Sequence, residues 1–367
     1  MKPVTINPDN YCILMAGGIG ARFWPMSRTN CPKQFIDVLG SGETLIQQTY
    51  RRLSKVCKSE NIFIVTNELY RQIIKEQIPD ITERQILCEP ARRNTAPCIA
   101  YAAHKIHAEN PNANIVVSPS DHVILHEEEF SDALLTALDA TAKNNWLLTL
   151  GITPSRPDTG YGYIQHSDDS ETGYENIRKV KTFTEKPQLE MAKQFLASGD
   201  FLWNSGIFIW SLKSLMTAMK QQLPDIHAIF SEGAEFYFTP QENEFIHKAY
   251  SEVRNISIDY GLMEKASNVY VLAADFGWSD LGTWGSLYEA RKKDMNGNAI
   301  IGNSVMTYDT HNCIVNMPKN KLVVIQGLED YIVVEDKNML LIIRKQDEQL
   351  IRNIVEDVKE RKGENYI

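Results

Sequence analysis

Through residue 150, short runs of β-forming residues alternate with stretches whose apolar positions recur at helical intervals. No other feature constrains the fold of this 367-residue chain as strongly. The strand candidates are 11–16, 61–66, 85–88, 114–118 and 146–150, and between them 43–56, 68–77, 95–109 and 127–144 read as helices. Such alternation predicts an α/β fold with a mainly parallel sheet and helices on both faces. Ligands on sheets of this kind bind beyond the carboxyl ends of the strands. The loops 17–34, 89–97 and 119–122 all leave such ends, so they can converge.

The rest of the chain is organised differently. Residues 151–211 carry Gly160-Tyr-Gly-Tyr163 and strand-like runs at 175–185 and 201–210. A helical stretch from 212 to about 265 precedes a strand at 269–273, and a further helix ends near Arg291. The turn-rich segment Asp294-Met-Asn-Gly-Asn298 reads as a boundary, dividing the chain into residues 1–292 and 293–367. Beyond it, β-type runs at 313–317, 322–326, 331–335 and 339–343 imply a small β-rich domain. A short β-solenoid suits the spacing, although the repeat is irregular. Residues 347–361 form an amphipathic helix, for which packing on its own domain is a simpler reading than a homodimer contact.

Hydrophobic content of 43% and charged content of 23% are those of a soluble globular protein. The formal net charge of −9 argues against a general nucleic-acid or anionic-membrane surface. No apolar segment approaches the ~20 residues needed to span a bilayer. The first ten residues lack the apolar core of a secretion signal. The six cysteines make no Cys-x-x-Cys pair and read as reduced thiols of a cytoplasmic protein, Cys31 included as incidental.

Against that acidic background stands a local cationic run, Met15-Ala-Gly-Gly-Ile-Gly-Ala-Arg-Phe-Trp-Pro-Met-Ser-Arg28, closing with Pro32-Lys33-Gln34-Phe35. Gly17, Gly18 and Gly20 let bare N–H groups approach a ligand, and Arg22, Arg28 and Lys33 add charge. The glycines alone would suit a surface turn; with three cations the run points to phosphate. It is not a P-loop, because Lys33 lies far from the glycines and precedes Gln34. A dinucleotide fingerprint fails too, since Phe23 or Trp24 stands where a third small residue is needed, which disfavours a nicotinamide-dependent oxidoreductase.

Phosphate chemistry with a divalent metal calls for lone carboxylates at strand ends. Asp121, in Val117-Ser-Pro-Ser-Asp-His122, is one candidate, and capping a helix or turn is its alternative. Asp280, in Gly277-Trp-Ser-Asp-Leu-Gly-Thr-Trp284, is the other, with an N-cap of the following helix as its alternative. Glu185-Lys186-Pro187 supplies adjacent charges at a strand end but is also a common surface turn. Asn204-Ser-Gly206 reads by itself as a turn or bulge in an apolar strand. Asn94 or Thr95 can cap the helix from 95, and Glu89 is free to read a ligand or to pair with Arg92 or Arg93. The eight histidines make no zinc spacing.

Taken together, the run at 15–35 and the motifs after it resemble the sugar-nucleotide pyrophosphorylases, a nucleotidyltransferase family. The Phe-Trp-Pro-Met-Ser-Arg and Pro-Lys-Gln-Phe versions are similar to its mannose-1-phosphate guanylyltransferase branch. The likeness covers roughly residues 11–291 and extends to the β-rich tail of the shorter members. Ala21 and Phe23 depart from the common Thr and Leu without removing a charge. The resemblance implies a Rossmann-like catalytic domain, with GTP and mannose 1-phosphate as substrates and GDP-mannose and pyrophosphate as products. It implies that Arg22 and Lys33 act on the triphosphate, that Asp121 and Asp280 hold Mg²⁺ or Mn²⁺, and that Gly17, Gly18, Gly20, Glu89, Asn94 and Thr95 bind the nucleotide. By the same likeness Gly162, Glu185, Lys186 and Asn204 receive the sugar phosphate. Longer relatives carry a His-rich isomerase domain. Only His311 lies beyond residue 290 here, so that activity is expected to be absent. A pyrophosphorylase for another sugar or base, and a non-catalytic sugar-nucleotide sensor, are the alternatives.

Overall fold

The computed structural model describes residues 6–18, 20–167 and 172–367. Part of the N-terminal stretch read above (residues 1–5) and Ile19 of the glycine run lie outside the described residues. The chain divides into two compact units. Unit one is residues 1–17, 49–120 and 124–278; unit two is 18–48, 121–123 and 279–367. By order along the chain the glycine run precedes the boundary drawn at 292/293, whereas by packing residues 18–48 belong with the C-terminal part.

The strands before residue 280 are β1 (Asn10–Met15), β2 (Ile62–Asn67), β3 (Ile86–Glu89), β4 (Asn114–Pro119), β5 (Val123–Ile124), β6 (Leu147–Ile152), β7 (Tyr163–His166), β8 (Ile177–Thr184), β9 (Phe201–Ser211), β10 (Val269–Ala273) and β11 (Trp278–Ser279). All but the short β5 and β11 form one nine-stranded sheet of unit one, in the order β3-β2-β1-β4-β9-β6-β10-β8-β7. β1, β2, β3 and β4 are parallel neighbours, and so are β6 and β10. β9 runs antiparallel between β4 and β6, and β8 antiparallel to β10 and β7. The sheet is therefore mainly parallel by direction, as the alternation predicts, with β8 and β9 reversed. β4 and β6, which follow one another among the strands read before residue 150, are separated by a strand that comes later in the chain. Phe208, Ile209 and Trp210 of β9 are buried there, which suits a central strand covered on both faces. The stretch read as one helix from 212 is broken into Leu212–Gln222, Pro224–Ser231, Glu242–Glu252 and a turn of π-helix, Asp259–Met263. Pro224 opens the second of these, where its missing N–H is no loss.

Unit two contains β12 (Ala299–Ile301), β13 (Ser304–Tyr308), β14 (Ile314–Asn316), β15 (Leu322–Gln326), β16 (Tyr331–Asp336) and β17 (Met339–Arg344). β12, β14 and β16 stack in parallel register, Ala299 on Ile314 and Ile314 on Ile332, while β13 stacks in parallel on β15. Successive turns of chain thus lie over one another, the arrangement of a short solenoid, and β17 closes it as an antiparallel edge. Cys313, Val315, Met317, Ile325 and Val333 fill one cluster. Phe23, Trp24, Val38 and Leu45 share a second with Trp284, Leu287, Ile332 and Ile351, which is why the glycine run packs with the C-terminal residues. The helix Ile351–Lys362 lies on its own unit, as its stripe suggests. Among the described residues no helix is long and apolar enough to cross a membrane.

Trp210 is fully buried between its strand partners Ile115 and Leu147, and its indole N–H has no hydrogen-bond partner among the described residues. Trp210→Ala is expected to cost about 3–5 kcal/mol in urea unfolding. Trp210→Phe, which also removes the unpaired donor, should cost less than about 1.5 kcal/mol.

Candidate functional site

In unit two the run after β1 turns sharply at Gly20, whose φ is +70°, and a Cβ there would lie 2.7 Å from Cβ of Lys33. Only glycine satisfies both demands, so the first turn and the lysine are built against each other. Ala21–Phe23 and Lys33–Phe35 are single 3₁₀ turns, the second entered through Pro32. Lys33 is 3% exposed. Its ammonium lies 2.8 Å from a carboxylate oxygen of Asp121 and donates to the carbonyls of Asp280 at 2.7 Å and Leu281 at 3.0 Å. Arg22 donates to the Gly282 carbonyl at 3.4 Å.

These residues surround one cavity of about 220 Å³, lined also by Gly20, His122 and Arg352. Asp121 and Asp280, far apart in sequence, face the same space. Burial pushes the Asp121 carboxyl up, but the adjacent Lys33 and His122 outweigh it and hold the carboxyl below its usual range. Asp121 is thus paired with a lysine rather than capping a helix. Nor is Asp280 a helix cap: Thr283 caps Trp284–Ala290, while Asp280 accepts from the Gly282 N–H at 3.0 Å. A Cβ at 282 would meet the Asp280 carboxylate at 2.7 Å, so the glycine makes room for the acid. Gly18 accepts from the Gln34 side chain, and a Cβ there would meet nothing. Burial pushes the Cys31 thiol up, which does not favour a reactive thiolate.

Two further groups of expected residues lie in unit one. In the first, Gly17 is close to Glu89, its Cβ position 3.5 Å from the carboxylate. Glu89 makes no ion pair to Arg92 or Arg93 among the described residues; it accepts from the Tyr250 hydroxyl at 2.8 Å. Burial raises its carboxyl to about 7. Asn94 caps Thr95–Glu109 from a φ of +70°. The Thr95 hydroxyl accepts from the Ile258 N–H at 2.9 Å.

In the second group, Gly162 and Glu185 almost touch, since a Cβ on Gly162 would lie 2.5 Å from the Glu185 carboxylate. Lys186 pairs with Glu185 from a left-handed backbone, φ +47°. Asn204 donates its backbone N–H to the Gly162 carbonyl at 2.8 Å and its side-chain N–H to Asp259 at 2.9 Å. Burial, then the Glu185 charge, raises the Asp259 carboxyl to about 6. Asp259 escaped the sequence reading, which placed it inside a helix. The segment Ile256–Asp259 hydrogen-bonds to Arg93, Thr95 and Ala96 at one end and to Asn204 at the other, joining the two groups.

A folded Glu89 keeps its proton to about pH 7, whereas the unfolded side chain releases it near its ordinary 4.5. Between those values the folded state binds more protons, so stability falls as pH rises through that window. Asp259 acts in the same sense up to about pH 6. Glu89→Gln should flatten this decline in urea-unfolding midpoints taken at about pH 5 and about pH 8, with Asp259 supplying the slope that remains.

Residues 11–297 match the family model described as Nucleotidyl transferase, and residues 302–358 match the MannoseP isomerase/GMP-like beta-helix domain. The alginate biosynthesis protein AlgA of Pseudomonas aeruginosa is 38% identical over 355 residues, covering 94% of this chain and 71% of its own. A mannose-1-phosphate guanylyltransferase of Klebsiella pneumoniae is 34% identical over 367 residues, covering 96% and 75%. A crystal structure from Thermus thermophilus, described as a mannose-1-phosphate geranyltransferase, superposes with a TM-score of 0.86 at 27% identity, covering 96% of this chain and 99% of that one. With the match spanning residues 11–297, the chain belongs to the nucleotidyl transferase family.

Proposed function

We propose that the chain transfers GMP from GTP to mannose 1-phosphate, giving GDP-mannose and pyrophosphate. What carries the reading is one cavity in which Asp121 and Asp280 stand with Arg22 and Lys33, in a chain whose relatives bear the guanylyltransferase name. A phosphate oxygen of mannose 1-phosphate attacks the α-phosphorus of GTP; the bond to the β-phosphate oxygen breaks, and its electron pair leaves with pyrophosphate. Both reactants are anions, so the catalyst must supply charge and alignment rather than a covalent group.

Arg22 and Lys33 supply that charge from fixed positions, and the N–H groups around Gly20 cradle the phosphates. Asp121 and Asp280 fit a divalent ion. Both are hard oxygen donors on one cavity, and Asp121 is held ionised. Among the described residues no third protein ligand joins them, which leaves room for the phosphate oxygens and water that Mg²⁺ prefers. Such an ion, Mg²⁺ or Mn²⁺, would add positive charge at the phosphates and polarise the phosphoryl group whose phosphorus is attacked. In unit one, Glu185, Asp259 and Asn204 present acceptors and donors for sugar hydroxyls, while Lys186 offers a cation for the sugar phosphate. Glu89, with Gly17, Asn94 and Thr95, reads the base and ribose, and a carboxyl there suits the N1–H and 2-amino donors of guanine. Residues 1–292 are read as the catalytic domain and 293–367 as the solenoid domain. A homodimer and a cytoplasmic location complete the reading.

A pyrophosphate-release assay crossing four nucleoside triphosphates with mannose, glucose and fucose 1-phosphates tests the substrates. GTP with mannose 1-phosphate should exceed every other pair; a faster pair without guanine would reject the specificity. Asp121→Ala and Asp280→Ala should each lower kcat by about 10²-fold or more. Glu185→Gln and Asn204→Ala should raise KM for mannose 1-phosphate by about tenfold, leaving KM for GTP within about twofold.

A further inference from the structure

One charged side chain of the unit-two cavity is left unused by the chemistry above. Arg352, the second residue of the helix Ile351–Lys362, lines the cavity beside Arg22, Lys33, Asp121 and Asp280. Its backbone is well anchored. Ile351 is fully buried in the cluster that holds Phe23, Trp24 and Trp284, and the Trp24 indole donates to the Tyr366 carbonyl at 2.7 Å. Arg352 itself is exposed, and among the described residues it makes no ion pair or side-chain hydrogen bond. A guanidinium held over a cavity with nothing to neutralise is difficult to explain as a structural contact.

The other cations are already engaged. Lys33 faces Asp121 and two carbonyls, and Arg22 faces the Gly282 carbonyl. A triphosphate brings more negative charge than these two can offset. Lys33 is buried, whereas Asp121 is partly exposed and Arg352 exposed on the same cavity. With the α-phosphorus beside the two carboxylates, the β- and γ-phosphates can extend toward Arg352, the solvent-exposed cation of the same cavity.

We infer that the Arg352 guanidinium binds the β- and γ-phosphate oxygens of the nucleotide and the pyrophosphate formed from them. The planar fork presents parallel N–H donors that match two phosphate oxygens bidentately, a geometry that the point charge of a lysine lacks. The inference rests on the proposed polyphosphate chemistry of the cavity but not on the identity of the sugar or base.

The test is calorimetric titration of inorganic pyrophosphate, with Mg²⁺ present, into the full chain and into Arg352→Ala and Arg352→Lys. Pyrophosphate affinity should fall by about 10- to 100-fold in R352A and by less in R352K, with thermal midpoints unchanged. In steady-state assays KM for GTP should rise with the loss of pyrophosphate affinity, while KM for mannose 1-phosphate stays within about twofold. R352A binding pyrophosphate as the parent does would overturn the inference, as would a parent that binds none, or an equal rise in KM for the sugar phosphate. If the parent binds pyrophosphate through Arg352 yet turns over no GTP with mannose 1-phosphate, the inference stands and the proposed substrates fall.

Discussion

A buried ammonium organises unit two. A lysine side chain has three N–H donors and no acceptor, and removing it from water is unfavourable unless each donor finds a partner. Lys33 finds three: the Asp121 carboxylate and the carbonyls of Asp280 and Leu281. Those partners come from segments that sequence alone does not bring together, so the charge of one side chain fixes the geometry of a three-segment site. The same demand reaches back to Gly20, where any side chain would displace the lysine stem. The arrangement leaves a charge buried, and in doing so it directs a pair of carboxylates at one cavity.

The two units treat their acids in opposite ways. In the unit-two cavity, surrounding cations hold Asp121 ionised, the state needed to attract a cation or to organise phosphates around one. In unit one, burial raises Glu89 and Asp259 into or near the neutral range, and each is bonded to a neutral donor, Tyr250 or Asn204. Carboxyls raised in this way give up their charge more readily than Asp121, and each is held by a hydrogen bond from an uncharged side chain. Hydroxyls and a purine edge are recognised by hydrogen bonds, whereas phosphates are recognised by charge. For Asp121, Glu89 and Asp259 the electrostatics therefore follows the role proposed for each, while the Glu185–Lys186 pair keeps a charge in unit one for the proposed sugar phosphate.

Much of the fold was legible because it depends on local pattern. The expected strand at 269–273 is observed as Val269–Ala273, and the helix expected at 95–109 as Thr95–Glu109. The β-runs expected at 313–317, 322–326, 331–335 and 339–343 are observed as strands, the first three in parallel pairs and the last antiparallel, while Ala299–Ile301 and Ser304–Tyr308 were not anticipated. What pattern could not supply was the insertion of β9 between β4 and β6, since strand order depends on which buried faces fit together rather than on either segment. The break-up of 212–265 was signalled by Pro224 and by Pro240, which follows Thr239. Those signals were outweighed by the apolar spacing around them.

The site was legible to a different extent. Asp121, Asp280, Arg22 and Lys33 lie in short motifs and do line one cavity, because glycines and turns force each of them to a loop end. Asp259 and Arg352 lie in no such motif. Asp259 acquires its place from the hydrogen bonds of Ile256–Asp259, and Arg352 from the burial of Ile351 beside Trp24. That last contact also explains part of the length of the glycine run. Phe23 packs against Trp284 with ring centroids 4.9 Å apart, and Trp24 accepts from the Trp284 indole while donating to Tyr366. These aromatic residues supply no phosphate-binding group. They fasten the glycine run to the C-terminal helix, so a motif that reads as chemistry is in part packing, and the packing brings a third cation to the cavity.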